Sequence, residues 1–329
     1  MQHSCRYVEM KGRLLCACLL SCTFSVNALA NVEEQQEKLT QLPQNPQQPQ
    51  QQESAQQTQP EQNKVAEISE QPLSEETTAD PSAQDQSLQQ PAELSDAMVE
   101  RLMKDMIWVE GGEFTMGSDH VDANSREKPP HQVTVDGFYM GRTEVTQELF
   151  LAVMGWNFSY FPCELCPVNN ISWINMQQFI NRLNEATGKV FRLPSEAEWA
   201  FAAKGGNQSQ GFLFSGSDTI DDVAWYAGNA NRKLQPVGLK RSNELGLHDM
   251  TGNVWEFCQD DMSRTVYSDK PRDNPMYIVT TDIKQVSLKV LRGGGYEFSD
   301  KESYVYRRDG ATSNVRMPDI GFRLALDKQ

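Results

Sequence analysis

At 329 residues and a formal net charge of −15, the chain is long enough to bury one large core and lacks the basic excess that nucleic-acid binding requires. The acidity is uneven: residues 31–100 hold 14 acidic and 2 basic side chains, residues 1–30 carry about +2, and the rest only about −5.

The chain opens like a secretory signal. Lys11 and Arg13 form a basic start, Leu14 to Phe24 an apolar run, and Ala28-Leu29-Ala30 a small-x-small cleavage site. Met10 reads as an alternative first residue. The apolar run falls short of the roughly 20 residues of a spanning helix, so no transmembrane segment is expected. Leu20-Ser21-Cys22 supplies a second reading, a lipoprotein anchored through Cys22. Residues 31–100 are rich in Gln, Pro and Glu and contain no aromatic residue. Such a segment buries too little apolar surface to offset the entropy of ordering, and it reads as a disordered linker. Residues 101–329 show no repeat and no second linker, and read as one domain.

Within that domain, Met106–Val109 and Glu113–Gly117 are expected to be short strands around a Gly111-Gly112 turn, and the alternation of His131–Val135 predicts a third. Thr146 is placed to cap a helix that runs through Met154 to Gly155. A second helix is expected from Ser172, with Met176, Phe179, Ile180 and Leu183 on one buried face and Gly188 as a left-handed stop. Ser195-Glu196-Ala197-Glu198 is a capping box for a third. Beyond Gly205-Gly206 the chain has little periodicity. About three helices, scattered strands and long irregular stretches predict an α+β domain, without the βαβ rhythm of a wound sheet.

Four cysteines (Cys5, Cys16, Cys18 and Cys22) lie in the signal, which leaves Cys163, Cys166 and Cys258. In an exported protein, Cys163 and Cys166 in Pro162-Cys163-Glu164-Leu165-Cys166-Pro167 read as a small structural disulfide, with a pair of reactive thiols as the alternative. A zinc site would need ligands that no second cysteine pair supplies. Cys258 reads as a small buried hydrophobe.

Several motifs then occur in a fixed order: Trp108-Val109-Glu110-Gly111-Gly112-Glu113-Phe114-Thr115-Met116-Gly117, Glu144-Val145-Thr146, Pro167-Val168-Asn169-Asn170-Ile171-Ser172-Trp173, Phe191-Arg192-Leu193-Pro194-Ser195, Gly252-Asn253-Val254-Trp255-Glu256, Leu291-Arg292-Gly293-Gly294-Gly295 and Gly321-Phe322-Arg323. Together they resemble the formylglycine-generating enzymes, the sulfatase-modifying factor family. The resemblance covers about Met106 to Leu326 and implies a variant of the C-type lectin fold. It also implies calcium at the Gly-Asn-x-Trp-Glu loop, held by the side chains of Asp249 and Glu256 and the carbonyls of Gly252 and Val254. Calcium favours six to eight hard oxygens, which carboxylates and a tight glycine turn can supply. The purely structural alternative has Asp249 capping a turn and Glu256 paired with an arginine.

The family's reactive centre is a copper-binding cysteine pair just after the Arg-Gly-Gly turn. Here Phe298 stands at the first position, Ser303 or Tyr304 at the second, and no cysteine lies between Phe298 and Arg308. Copper(I) is soft and needs thiolate, so copper is not expected. The same loops form the family's substrate groove, which here would be lined by Trp255, Tyr296, Phe298, Tyr304, Arg307, Arg308 and Arg316, aromatic and arginine side chains of the kind that make binding hot spots. The resulting expectation is an exported, periplasmic, non-catalytic module that binds a protein or peptide partner in the cell envelope. A protein-modifying oxidoreductase of altered chemistry and a variable lectin-like receptor, with its recognition residues between Phe298 and Asp319, are the alternatives.

Overall fold

The computed structural model describes residues 94–328 apart from 264, 266, 268–271 and 284. All of these belong to one compact unit. The expected signal with its Ala28–Ala30 site, Cys22, and the linker as far as residue 93 lie outside the described residues.

Helix α1 (Asp96–Lys104) begins inside the stretch read as linker. Ser95 accepts from the Met98 amide to cap it, and Leu102 is its buried residue. Its polar sequence hides one apolar contact face, and Leu94 and Met103 also pack on the core. The folded part therefore starts a few residues before the expected position 101.

The two strands around Gly111-Gly112 do not pair with each other. β1 (Met106–Val109) pairs with β4 (Phe138–Gly141), whereas β2 (Gly112–Met116) pairs with β3 (His131–Val135). A Cβ on Gly111 would lie 2.7 Å from the carbonyl oxygen of Val135, so glycine is needed where the chain crosses between sheets. The chain's last strand, β10 (Ala325–Asp327), lies between β4 and the two-residue β5 (Phe191–Arg192), giving the order β1-β4-β10-β5. A third sheet has the order β8-β7-β6-β9, built from β6 (Trp255–Asp261), β7 (Leu288–Arg292), β8 (Arg308–Thr312) and β9 (Ile320–Gly321), with β9 parallel to β6. Tyr304 and Tyr306 precede β8 in irregular chain after a short 3₁₀ turn at Asp300–Ser303.

The three expected helices form with the expected caps. Thr146 and the left-handed Gly155 bound α2 (Gln147–Met154), and Ser172 and the left-handed Gly188 bound α3 (Trp173–Thr187). Ser195 and Glu198 satisfy each other's amides at the start of α4 (Glu196–Ala203). Met176, Phe179, Ile180 and Leu183 are all buried, and Phe179 stacks on Phe150 of α2 and meets Phe322 edge-on. With α1 and the single-turn α5 (Ile220–Val223), five α-helices occur among the described residues rather than three. The α+β class with short strands and long connections is as expected.

Candidate functional site

The Gly252–Glu256 loop leads straight into β6. It is pressed against the backbone of Trp225, to which Asn253 donates at 2.8 Å. A Cβ on Gly252, which has a φ of +78°, would come within 2.2 Å of the Trp225 carbonyl oxygen. The Asn253 side chain exchanges two hydrogen bonds with the Gln235 backbone, accepting from its amide and donating to its carbonyl at 3.2 Å each. Gly252 N donates to Gly293 O at 2.9 Å, which ties the loop to the Arg-Gly-Gly turn.

Glu256 is wholly buried, and its carboxylate is engaged by other side chains. Oε2 accepts from Arg323 Nε at 2.6 Å and from Trp199 Nε1 at 2.7 Å, and Oε1 accepts from Arg323 Nη2 at 2.6 Å. Three of the roughly four acceptor positions of a carboxylate are thus taken. Arg323 also donates to the carbonyls of Gly141 and His248. Glu256 joins the Gly-Asn-x-Trp-Glu loop, α4 and the Gly-Phe-Arg segment into one buried ion-paired cluster, the arrangement of the structural alternative for this residue. Asp249, in the left-handed region at φ 56°, accepts from Gly238 N through Oδ2 at 2.6 Å. Its Oδ1 is buried without a partner, as are both oxygens of Glu144. Burial, and next the neighbouring Asp249, push the Glu144 carboxyl well above the usual range. Burial also raises Asp249, against the opposing Gly238 amide. Gly252 and Val254 are buried in the same loop, Val254 against Tyr296, Ala230, Leu234 and Cys166.

The residues expected to line a groove lie in different surroundings. Trp255 meets Phe298 edge-on at 5.6 Å, and Phe298, where the family's first thiol would stand, is half-buried. Tyr296 is buried, and its hydroxyl is pushed up to about 12 by burial and by the adjacent Glu297 carboxylate. Arg316 is exposed, its guanidinium 5.3 Å from the Phe158 ring. Tyr304 packs on Phe214, Tyr306 and His120. Arg307 pairs with the fully buried Glu127 at 3.1 Å, and Arg308 forms a two-pronged bond with Glu196 at 2.7 and 2.6 Å. Neither guanidinium is free at the surface, because each compensates a carboxylate that folding removes from water.

The structure adds residues that the sequence reading passed over. Phe158, Tyr160 and Phe161 follow α2 and are 40%, 64% and 44% exposed. The loop that carries them is held from beneath. Gln147 donates to the Phe161 carbonyl and accepts from the Cys163 amide, and Asn169 accepts from the Tyr160 amide. The sulfurs of Cys163 and Cys166 stand at disulfide distance, 2.00 Å. Asn170 N donates to the Met317 carbonyl, bringing the aromatic loop beside the segment that carries Arg316. The signal in the sequence was the run Trp156-Asn157-Phe158-Ser159-Tyr160-Phe161, four aromatics in six residues of non-periodic chain. Exposed, contiguous aromatic surface of this kind marks contact sites. Cys258, the only free cysteine among the described residues, is fully buried on β6, and burial pushes its thiol well above the ordinary value. Without a second thiol beside it, the residues present do not fit copper.

The sequence profile of the sulfatase-modifying factor enzyme 1-like domain matches residues 91–328. The chaperone protein LppX of Paenibacillus barcinonensis is 30% identical over 276 residues, covering 68% of this chain and 90% of that protein. The formylglycine-generating enzyme of Streptomyces coelicolor is 32% identical over 185 residues, 49% of this chain and 52% of the enzyme, so that match spans about half of the enzyme's length. Among solved structures, Treponema denticola variable protein 1 aligns with a TM-score of 0.61 at 29% identity, covering 68% of this chain and 95% of that one.

Proposed function

The chain belongs to the sulfatase-modifying factor family, and from that premise we propose that it is a non-catalytic binding module, exported to the cell envelope, that captures a protein or peptide partner. The observation that carries this reading is Phe298. By the resemblance it stands at the position of the first reactive cysteine, and it packs on Trp255, which supports an aromatic ring in the place of a thiolate. The exposed Phe158, Tyr160, Phe161 and Arg316 are side chains suited to anchoring a partner. The similarity to a protein named as a chaperone supports the accessory reading.

Two experiments test it. A Cys-x-Pro-x-Arg peptide incubated with the protein, copper and oxygen should yield no formylglycine; copper-dependent aldehyde formation would refute the reading. Partner capture by cross-linking in an envelope fraction should fall at least about tenfold in the Phe158→Ala/Tyr160→Ala/Arg316→Ala variant, the loss of a hot spot of roughly 2 kcal/mol, with an unchanged melting temperature. Undiminished capture would remove the aromatic surface from the reading.

Export carries its own test. Mass spectrometry of the mature protein from an exporting host should show Asn31 as the first residue. A lipid-modified Cys22 at the terminus would replace the periplasmic reading with the anchored one.

The likeness to Treponema denticola variable protein 1 favours a second reading, a lectin-like receptor whose recognition residues lie between Phe298 and Asp319. It requires that segment to tolerate substitution. Tyr304, Arg307 and Arg308 within it are core and ion-pair residues, which favours the accessory reading.

A further inference from the structure

Trp108 on β1 and Tyr139 on β4 are register partners, and their rings lie 5.0 Å apart. The half-buried indole crosses the backbone of Gly137, where a Cβ would come within 2.5 Å of the ring. Its Nε1 donates to Glu110 Oε2 at 2.8 Å. Tyr139, Gly137 and Glu110 thus fix the plane of the ring. The ring lines an open cleft of about 540 Å³ together with Glu110, the Gly111-Gly112 crossing, Asp136 and Lys328.

The two acidic side chains of the cleft are exposed but aimed. Glu110 is held by the indole, and Asp136 exchanges two bonds with Asn274: Oδ2 accepts from Nδ2 at 2.9 Å, and the Asp136 amide donates to Oδ1 at 2.7 Å. A carboxylate has about four acceptor positions, so each keeps capacity for a further donor. Against these two carboxylates the lining holds one cation, the exposed Lys328 that follows β10. Its ammonium lies over the indole, 5.1 Å from the ring centroid, within the range of a cation–π contact. The chain's own lysine thus shows what the ring accepts, and the cleft stays open with that lysine in place.

We propose that this cleft binds the alkylammonium group of a lysine side chain presented by a partner polypeptide, and that Lys328 is an internal competitor which the incoming lysine displaces from the indole. The indole face attracts the cation through its quadrupole, and Glu110 and Asp136 supply acceptors for its N–H donors. The site shares no residue with the aromatic loop at Phe158, Tyr160 and Phe161, so it stands or falls independently of the binding reading above.

The test uses the full chain and Nα-acetyl-lysine methylamide as the probe, at constant ionic strength because exposed charges are screened. The indole N–H signal of Trp108 in a heteronuclear correlation spectrum, assigned with Trp108→Phe, should shift and saturate at roughly millimolar probe. The norleucine counterpart, with the same stem and no charge, should leave the signal in place. Glu110→Gln and Asp136→Asn should each weaken binding about two- to fivefold, the size of an exposed ion pair. Lys328→Ala should tighten it about two- to fivefold, because the competing cation–π contact is gone. All three substituted side chains are exposed, so the rest of the spectrum should stay unchanged, which separates loss of binding from loss of folding. The proposal is overturned by no shift with the lysine probe, an equal shift with the norleucine probe, unchanged affinity in Glu110→Gln and Asp136→Asn, or binding in Lys328→Ala that is no tighter than in wild type.

Discussion

Replacing Arg323 by methionine is expected to destabilise the domain by about 3–5 kcal/mol, the size seen when one partner of a buried ion pair is removed. Arg323 is wholly buried, and its loss would leave the Glu256 carboxylate, with both oxygens facing the vacated guanidinium, supported only by Trp199 Nε1. The carbonyls of Gly141 and His248 would lose their donors at the same time. Methionine keeps much of the aliphatic volume, so the loss reads the charge more than a cavity. Chemical denaturation should show a lower midpoint with an unchanged slope. Adding Glu256→Gln to the arginine variant should recover part of the loss, because no charge is then stranded. A midpoint within roughly 1 kcal/mol of wild type would mean that the pair does not hold these three segments together.

The second large effect is a pH dependence located at Asp260. This residue on β6 is 5% exposed, with Oδ2 accepting from Glu196 N and Oδ1 from Tyr277 N, each at 2.8 Å. Burial, and next the Glu196 carboxylate, push its carboxyl up to about 7 despite those two amides. An acid whose folded pKa lies above its unfolded value keeps a proton in the native state that the unfolded chain has released. Its contribution to stability is therefore fully present below the unfolded value near 3.8 and is lost as pH rises towards 7, with no further change above. At about 1.4 kcal/mol per unit, the wild type should lose roughly 2–3 kcal/mol between pH 5 and pH 8 relative to Asp260→Asn. The asparagine variant loses one accepting oxygen and is less stable by a constant amount, so the comparison rests on the two slopes and not on absolute stability. Parallel stability-versus-pH curves would show that Asp260 is ionised throughout.

Local signals carried much of the fold. Thr146, Ser172, Ser195, Gly155 and Gly188 were legible as helix ends because a cap is a contact across three or four residues. The buried face of α3 was legible because its period is written in the sequence. Helix α1 is not legible in the sequence because its composition continues that of the tail, and one buried leucine decides its docking. Strand pairing was not legible: β10 enters between β4 and β5 from the far end of the chain.

The candidate site divides in the same way. The sequence by itself determined the family resemblance, the absence of cysteine between Phe298 and Arg308 and the aromatic character of the loops near Phe298. Those are statements about which residues stand in which order. Only the tertiary structure decided what the charges do. Arg307 and Arg308 read as lining a binding groove, but their partners Glu127 and Glu196 lie 180 and 112 residues away, and pairing withdraws both from the surface. Glu256 read as a calcium ligand, with an arginine partner as the alternative, and Arg323, 67 residues on, donates to both of its oxygens. A carboxylate beside a guanidinium and one left alone are chemically identical in sequence. Which it becomes depends on long-range packing, because desolvation makes a partner obligatory only once the chain has closed around it.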